Sequence, residues 1–471
     1  MDTLTSRLDR LSGPVEERRD AGRAAREHVP LDAHAELPLD ARPDPIAVLR
    51  SQDAARLPEV VPLRYGRTSR SPFTFLRGAA AVMASDLSRC PSTGLWVELC
   101  GDAHLGNFRF FLSPERRLVF DINDFDETLP GPFEWDVKRL AASITVAAWT
   151  SGFRKRQARD ATRYAVARYR ETMREASALD PLALHYSTFE ADAILERLRG
   201  YGKKQGAWGR RTVRKALEKN SMRAMRKYTT VAGGRRRITP DPPVVVPAPA
   251  DLALGRPDGV EAVLQHYRES LPLEYRLLLD RFRLIDVARK VVGVGSVGTR
   301  CLILLLQAGD GTPLFLQLKQ ATDSVLEPYL GRSTYDLSGR RVVEGQRLIQ
   351  GTSDVLLGWA RHRPRDGAPV DFYVRQLWDG KGKLAVEEMA PKCLRAFAGL
   401  CGKTLAFAHA RSGDPARIDG YIDEGETFDD AMVEFADRYP ACTSADHALL
   451  GEAIRDGAVP VVTEDEFLGA R

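Results

Sequence analysis

A chain of 471 residues, 44% hydrophobic and 28% charged, has the composition of a folded globular protein and enough length for two lobes with a substantial core. Its net charge of +5 is too small at this length for composition alone to imply a nucleic-acid partner. No stretch approaches the roughly 18 uninterrupted apolar residues of a membrane span, so no membrane association is expected.

Six cysteines (Cys90, Cys100, Cys301, Cys393, Cys401, Cys442) lie scattered without Cys-x-x-Cys pairs or zinc-type spacing, the pattern of reduced thiols in a cytoplasm. Met1 to Glu27 is charged and lacks the apolar centre of a signal peptide. A cytoplasmic location is therefore expected.

Residues 1–60 read as a charged helix and then a Pro- and Asp-rich arm wrapping the body. Ser71 before Pro72 predicts an N-cap and first helical turn, and Ala79–Leu87 has helical apolar spacing. Leu95–Leu99 and Leu118–Ile122 read as short strands with Ser113-Pro114-Glu115-Arg116 as the turn between them. Trp135–Trp149 is an apolar helix, helices with basic faces continue to about Tyr228, and Pro240–Pro249 is a connector. Val287–Val292, Cys301–Gln307 and Pro313–Lys319 read as successive strands, the last two joined by the hairpin turn Ala308-Gly309-Asp310-Gly311. A helix over Arg341–Gln350, a strand over Phe372–Leu377, a helix over Leu394–Arg411 and an acidic helical tail complete the chain.

The chemistry is concentrated in Cys100-Gly101-Asp102-Ala103-His104-Leu105-Gly106-Asn107-Phe108 and in Phe120-Asp121-Ile122-Asn123-Asp124-Phe125-Asp126-Glu127. Phosphoryl transfer needs one carboxylate to orient or deprotonate an acceptor hydroxyl. It also needs an amide and a second carboxylate to hold Mg²⁺ on the phosphates. Asp102 is the expected base, with His104 as an orienting neighbour. Asn107 and the acidic residues of the second segment are the expected metal ligands.

Gly293-Val294-Gly295-Ser296-Val297-Gly298 matches G-x-G-x-x-G, which alone is a weak signal. A dinucleotide-binding fold would follow it with a helix. Here it leads into an apolar run, a hairpin turn and a strand ending in Lys319. Strand, glycine loop, strand, turn and lysine strand is the kinase arrangement, with loop and lysine on the phosphates. Gly293, Gly295, Ser296, Gly298 and Lys319 are thus expected to hold ATP.

These residues, with Ser71–Gly78, Glu134–Leu140, Gly345–Trp359, Tyr373–Asp379 and Ala408–Asp414, resemble the bacterial family catalogued as domain of unknown function 2252. That family resembles the aminoglycoside-phosphotransferase branch of protein-kinase-like enzymes. The resemblance implies an α+β, two-lobed kinase-like fold and an ATP- and Mg²⁺-dependent phosphotransferase. In such relatives His-Gly-Asp-x-His-x-x-Asn is followed by a strand ending in the metal-binding Asp, and a loop-anchoring Asp lies twelve positions on. Asp124 and Asp136 have that separation, which makes Asp124 the principal metal ligand and Asp121 and Asp126 reserves. The chain departs at Cys100, where relatives carry His. Glu344, or Glu327, is the expected partner of Lys319, and the backbone of Gln376 and Leu377 the expected adenine seat. Order is the larger departure: the glycine loop and lysine follow the catalytic loop instead of preceding it. A circular permutation explains this, with residues 61–270 as the larger lobe, 271–392 as the nucleotide lobe and 393–471 returning to the larger lobe.

Rival readings are nucleotidyl transfer or an ATP-binding pseudokinase on the same fold, and a non-enzymatic binder of RNA or an acidic partner through the basic 203–237 stretch. Arg64, Arg67, Arg70 and Arg77 form a second basic set upstream of the catalytic loop, suited to an acidic substrate. The acceptor itself is not encoded in any motif.

Overall fold

A computed structural model describes residues 11–469 apart from 192, 193, 195, 197–202, 253–258, 292, 294–296, 365–367, 383, 384, 423 and 424. Among the described residues no helix is long and apolar enough to cross a membrane.

The larger body is helical. Helices α1 (Val61–Thr68) and α2 (Pro72–Gly78) lead to the first strands. α2 begins in a capping box in which Ser71 and Thr74 satisfy each other's backbone amides. Strand β1 (Trp96–Leu99) pairs with β4 (Leu129–Pro132), and β2 (Phe108–Leu112) pairs with β3 (Leu118–Ile122). The expected turn at Ser113 to Arg116 therefore joins β2 to β3, not β1 to β3. Helices α3 (Glu134–Thr150) and α4 (Lys155–Ser177) follow, and α3 is buried from Glu134 to Ala148. A short hairpin, β5 (Thr229–Ala232) and β6 (Arg235–Ile238), comes after the basic helices.

The second body is one antiparallel sheet. Its strands are β7 (Val245–Pro247), β8 (Phe282–Lys290), β9 (Cys301–Ala308), β10 (Pro313–Ala321), β11 (Gly358–His362) and β12 (Val370–Gln376). Their spatial order is β11-β12-β10-β9-β8-β7. The Pro- and Val-rich connector thus supplies an edge strand, consistent with prolines at its ends, where no ladder amide is needed. Helix α5 (Val260–Ser270) covers one face, its Tyr267 hydroxyl donating to the Leu356 carbonyl at 2.6 Å. Helix α6 (Ser338–Ile349) lies between β10 and β11 in sequence and faces the larger body, where Arg341 donates to the carbonyls of Thr128, Asp126 and Thr322.

The chain then returns. Helix α7 (Pro391–Ser412) packs along α4, and its C-terminal end reaches β1: the Glu98 amide donates to Ser412 Oγ at 3.1 Å. Helix α8 (Thr427–Arg455) packs on α3, and the short α9 (Glu464–Gly469) docks on α1. The main core runs continuously through β1–β4, α3, α4, α7 and α8, while a separate apolar cluster fills the space between α5 and the sheet.

Candidate active site

β1 delivers the chain into a tight loop. Gly101 has φ +78°, and a Cβ there would lie 2.2 Å from the Glu127 carbonyl oxygen, so both backbone angle and space require glycine. Asp136, in the first turn of α3, accepts from the amides of Cys100 at 2.8 Å and Gly101 at 3.2 Å. One turn later Arg139 donates through Nε (2.9 Å) and Nη2 (2.7 Å) to Oδ1 of Asp102. Oδ2 of Asp102 faces His104 Nε2 at 3.6 Å. His104 Nδ1 accepts from the Gly106 amide at 2.9 Å, which assigns the ring proton to Nε2. Asn107 Nδ2 donates to the Asp102 carbonyl at 2.8 Å, which leaves its side-chain oxygen as the group suited to a cation. Burial raises the Asp102 pKa above the ordinary carboxylate value, against the opposing charge of Arg139.

The acidic segment is tied to this loop by the Asn123 amide, which donates to the Asn107 carbonyl at 2.8 Å. Asp124 Oδ1 is buried without a hydrogen-bond partner, and Lys319 Nζ lies 3.9 Å from it. Lys319, on β10, is 2.8 Å from Asp126 Oδ2 and also donates to the Tyr373 hydroxyl. Burial opposes both charges of this pair. The attraction outweighs it, holding the lysine pKa above and the Asp126 pKa below their ordinary values. Glu127, whose carboxylate accepts from the Val325 amide, is pushed by burial to a pKa of about 7.

Asp102, His104, Asn107, Asp124, Asp126 and Glu127 line one cleft of about 910 Å³, open mouth included, together with Gly293, Thr299 and Gln320 from the sheet side. Among the described residues no three His, Cys, Asp or Glu side chains form a self-sufficient metal cluster. The donors that are present, the Asn107 amide oxygen and the orphaned Asp124 carboxylate, fit Mg²⁺, which takes few protein oxygens and completes its shell from phosphate and water.

Other expected residues fall differently. Asp121 is not in the cleft: its oxygens accept from the amides of Ile122 (2.8 Å) and Gly351 (3.1 Å), which removes it from the metal set. Glu344 does not meet Lys319. It lies on α6 within 3.9 Å of Arg340 and 3.8 Å of Arg347, and Asp126 takes the lysine instead. The backbone seat at Gln376 and Leu377 is internally engaged. The Gln376 amide donates to Asp354, the Leu377 amide to the Phe315 carbonyl, and Lys381 Nζ reaches the Gln376 carbonyl at 3.0 Å. Gly293 lines the cleft and Gly298 adopts φ +93°, while Gly295 and Ser296 lie outside the described residues. The loop they belong to joins antiparallel β8 and β9, so the Leu302–Leu306 run is strand and not the helix of a dinucleotide fold.

Sequence reasoning missed the way the termini grip this loop. The Leu57 amide donates to Gly298 O at 2.7 Å, Arg56 donates to Val297 O, and Arg67 donates to Gly293 O at 2.7 Å while pairing with Glu464 of α9. Of the upstream arginines, Arg64 is committed to Asp53 and Arg67 and Arg70 to Glu464; only Arg77 lines the cleft. Arg139 was also missed, although it follows Asp136 by three positions, the spacing that stacks side chains on one helix face.

Residues 56–453 match the family described as "Uncharacterized protein conserved in bacteria (DUF2252)". The chain belongs to this family. The DUF2252 match spans both bodies, from the Arg56 contact on the glycine loop through the Gly101–Phe108 loop, the lysine strand and α7. Comparisons with curated proteins and with solved structures returned no match.

Proposed function

We propose that this DUF2252 protein is an ATP- and Mg²⁺-dependent phosphotransferase with a permuted kinase-like fold. The observation that carries the reading is the convergence of Asp102, Asn107 and Asp124 with Gly293 in one cleft, with Lys319 buried behind it 3.9 Å from Asp124, from segments about 200 residues apart in sequence. The strand–glycine loop–strand–turn–lysine strand order of β8 to β10, with α6 following, supports it. So does the position of α7, whose end lies beside β1 where a chain in the usual order would run directly into the catalytic loop.

In this reading Asp102 Oδ2 accepts the proton of the acceptor hydroxyl as its oxygen bonds to the γ-phosphorus and the bond to the β-phosphate oxygen breaks, releasing ADP. Arg139 holds the other carboxylate oxygen and so fixes the direction in which Asp102 points. Mg²⁺, held by Asn107 and Asp124, would neutralise charge on the phosphates. Lys319, positioned by Asp126 and Tyr373, adds a fixed cation on the same side.

Calorimetric titration of ATP, with and without Mg²⁺, tests the reading. Micromolar, Mg²⁺-dependent binding is expected in the wild type and its loss in Asp124→Ala. Absence of binding in the wild type would overturn the assignment. ATP labelled at the γ- or α-phosphate then separates phosphoryl from nucleotidyl transfer by which label reaches an acceptor.

A further inference from the structure

The carboxylates and cations of the cleft are not evenly matched. Asp102 has Arg139 as its cation and Asp126 has Lys319. Arg77 and Arg109 also line the cleft, and neither has a carboxylate within 4.0 Å among the described residues. Arg77 Nε is buried without an acceptor, and Arg109 uses its Nε on the Gly106 carbonyl at 2.8 Å. Burial lowers the pKa of each, and the charge of Arg77 lowers that of Arg109 further. Two partly desolvated guanidinium groups side by side are costly unless an anion joins them.

Their position says which anion. Arg77, at the end of α2, stands against the catalytic loop: its Nε is 3.3 Å from where a Cβ on Gly106 would be. The carboxylates that act on it are Asp102, then Glu387 and Asp124, the first and last being the proposed base and metal ligand. Arg109 begins β2 two residues after Asn107 and is drawn chiefly to Asp124. In the proposed reading Lys319, Gly293 and the Asp124 metal site provide for the nucleotide's phosphates. Both arginines meet the catalytic loop at Gly106, Arg77 Nε beside its Cα and Arg109 Nε on its carbonyl, between Asp102 and β2, where an acceptor approaching Asp102 would pass. Planar guanidinium forks suit a tetrahedral phosphate, which can accept two paired bonds from each.

We infer that Arg77 and Arg109 form an acceptor subsite for a phosphate group, so that the substrate is a small hydroxyl compound already carrying a phosphate monoester. The inference rests on the phosphotransferase reading for the hydroxyl's role, but the anion site is separately measurable.

Inorganic phosphate would be titrated calorimetrically into full-length protein saturated with Mg²⁺ and a non-hydrolysable ATP analogue, and into the nucleotide-free protein. Saturable millimolar binding is expected, weakened at least tenfold in Arg77→Gln and in Arg109→Gln and less in Arg77→Lys, with acetate binding more weakly than phosphate. Affinity for the nucleotide analogue should stay within threefold of wild type in Arg77→Gln. Phosphate binding untouched by both glutamine variants would overturn the subsite. A tenfold loss of nucleotide affinity in Arg77→Gln would assign the arginine to the nucleotide instead, and acetate binding tighter than phosphate would exclude a phosphorylated acceptor. If the wild type binds arginine-dependent phosphate but no nucleotide, the subsite stands and the kinase-like reading falls.

Discussion

His409 Nε2 lies 3.3 Å from Asp136 Oδ2, and both side chains are buried although 273 residues separate them. His409 belongs to α7, near the end of the chain, while Asp136 holds the Cys100 and Gly101 amides near its start. The carboxylate can only accept, so His409 Nε2 donates to it, and Nδ1 accepts from the Tyr169 hydroxyl at 2.8 Å. Three helices and a loop are thereby joined through one buried network. Such networks are costly to leave half satisfied. His409→Phe leaves both the Tyr169 hydroxyl and Asp136 short of a partner and should lower stability by about 2–4 kcal/mol. Urea unfolding monitored by fluorescence measures this; a loss below 0.5 kcal/mol would show that the network does not hold the helix in place.

The pair formed by Lys319 and Asp126 should behave as a buried ion pair as well as a ligand site. Lys319→Met leaves Asp126 as an uncompensated anion beside Asp124, at an expected cost of about 2–3 kcal/mol, below the fully buried case because the cleft admits water. Adding Asp126→Asn should restore more than half of that stability and none of the nucleotide affinity. Because the Asp126 pKa is held below its ordinary value, its stabilisation is present above the unfolded carboxylate pKa and is lost as pH falls through the lower folded value. Acid unfolding of the double variant should therefore be less steep than that of the wild type.

Much of the site was legible because its parts are local. Asp102, His104 and Asn107 share one loop, and Gly101 announces a backbone bend that only glycine tolerates there. β9 and β10 followed from the hairpin turn between two apolar runs, although Leu302–Leu306 alone could as well be helical; its pairing with β8 and β10 makes it strand. What escaped was set by chain return. Nothing near Lys319 distinguishes Asp126 from Glu344 as its partner; α6 turns Arg341 toward the backbone of Asp126 and leaves Glu344 among arginines. Asp121 reads like a metal ligand in sequence, but its two oxygens are taken up by the Ile122 and Gly351 amides, a pairing set by chain return that nothing in the local motif shows. The edge strand β7 was hidden by its prolines.

Glu127 gives the cleft a pH signature. Burial raises its pKa to about 7, against about 4.3 for an exposed glutamate. The native state therefore holds a proton that the unfolded chain releases. The associated stability is fully present below the unfolded pKa and is lost as pH rises from there through 7, a change of about 3–4 kcal/mol. Glu127→Gln keeps the neutral form at every pH and should abolish this part of the slope. Denaturation midpoints at pH 5 and pH 8 decide the matter: an unchanged pH dependence in the variant would mean that Glu127 is ionised in the native protein throughout.

Asp102→Asn separates binding from chemistry. An asparagine oxygen can still accept from Arg139, so the loop should keep its shape, and Asn107 still has the residue-102 carbonyl. Nucleotide affinity should stay within threefold of wild type, since Asp102 is not among the groups proposed for the phosphates. Transfer should fall by about 10²–10⁴, the usual contribution of a positioned base. The acid limb of the pH–rate profile should vanish with it, because the group whose burial-raised pKa sets that limb is gone. Turnover within tenfold of wild type, with the acid limb intact, would place the base elsewhere. Glu127, the neighbouring carboxylate with a pKa near neutrality, would then be the first residue to examine.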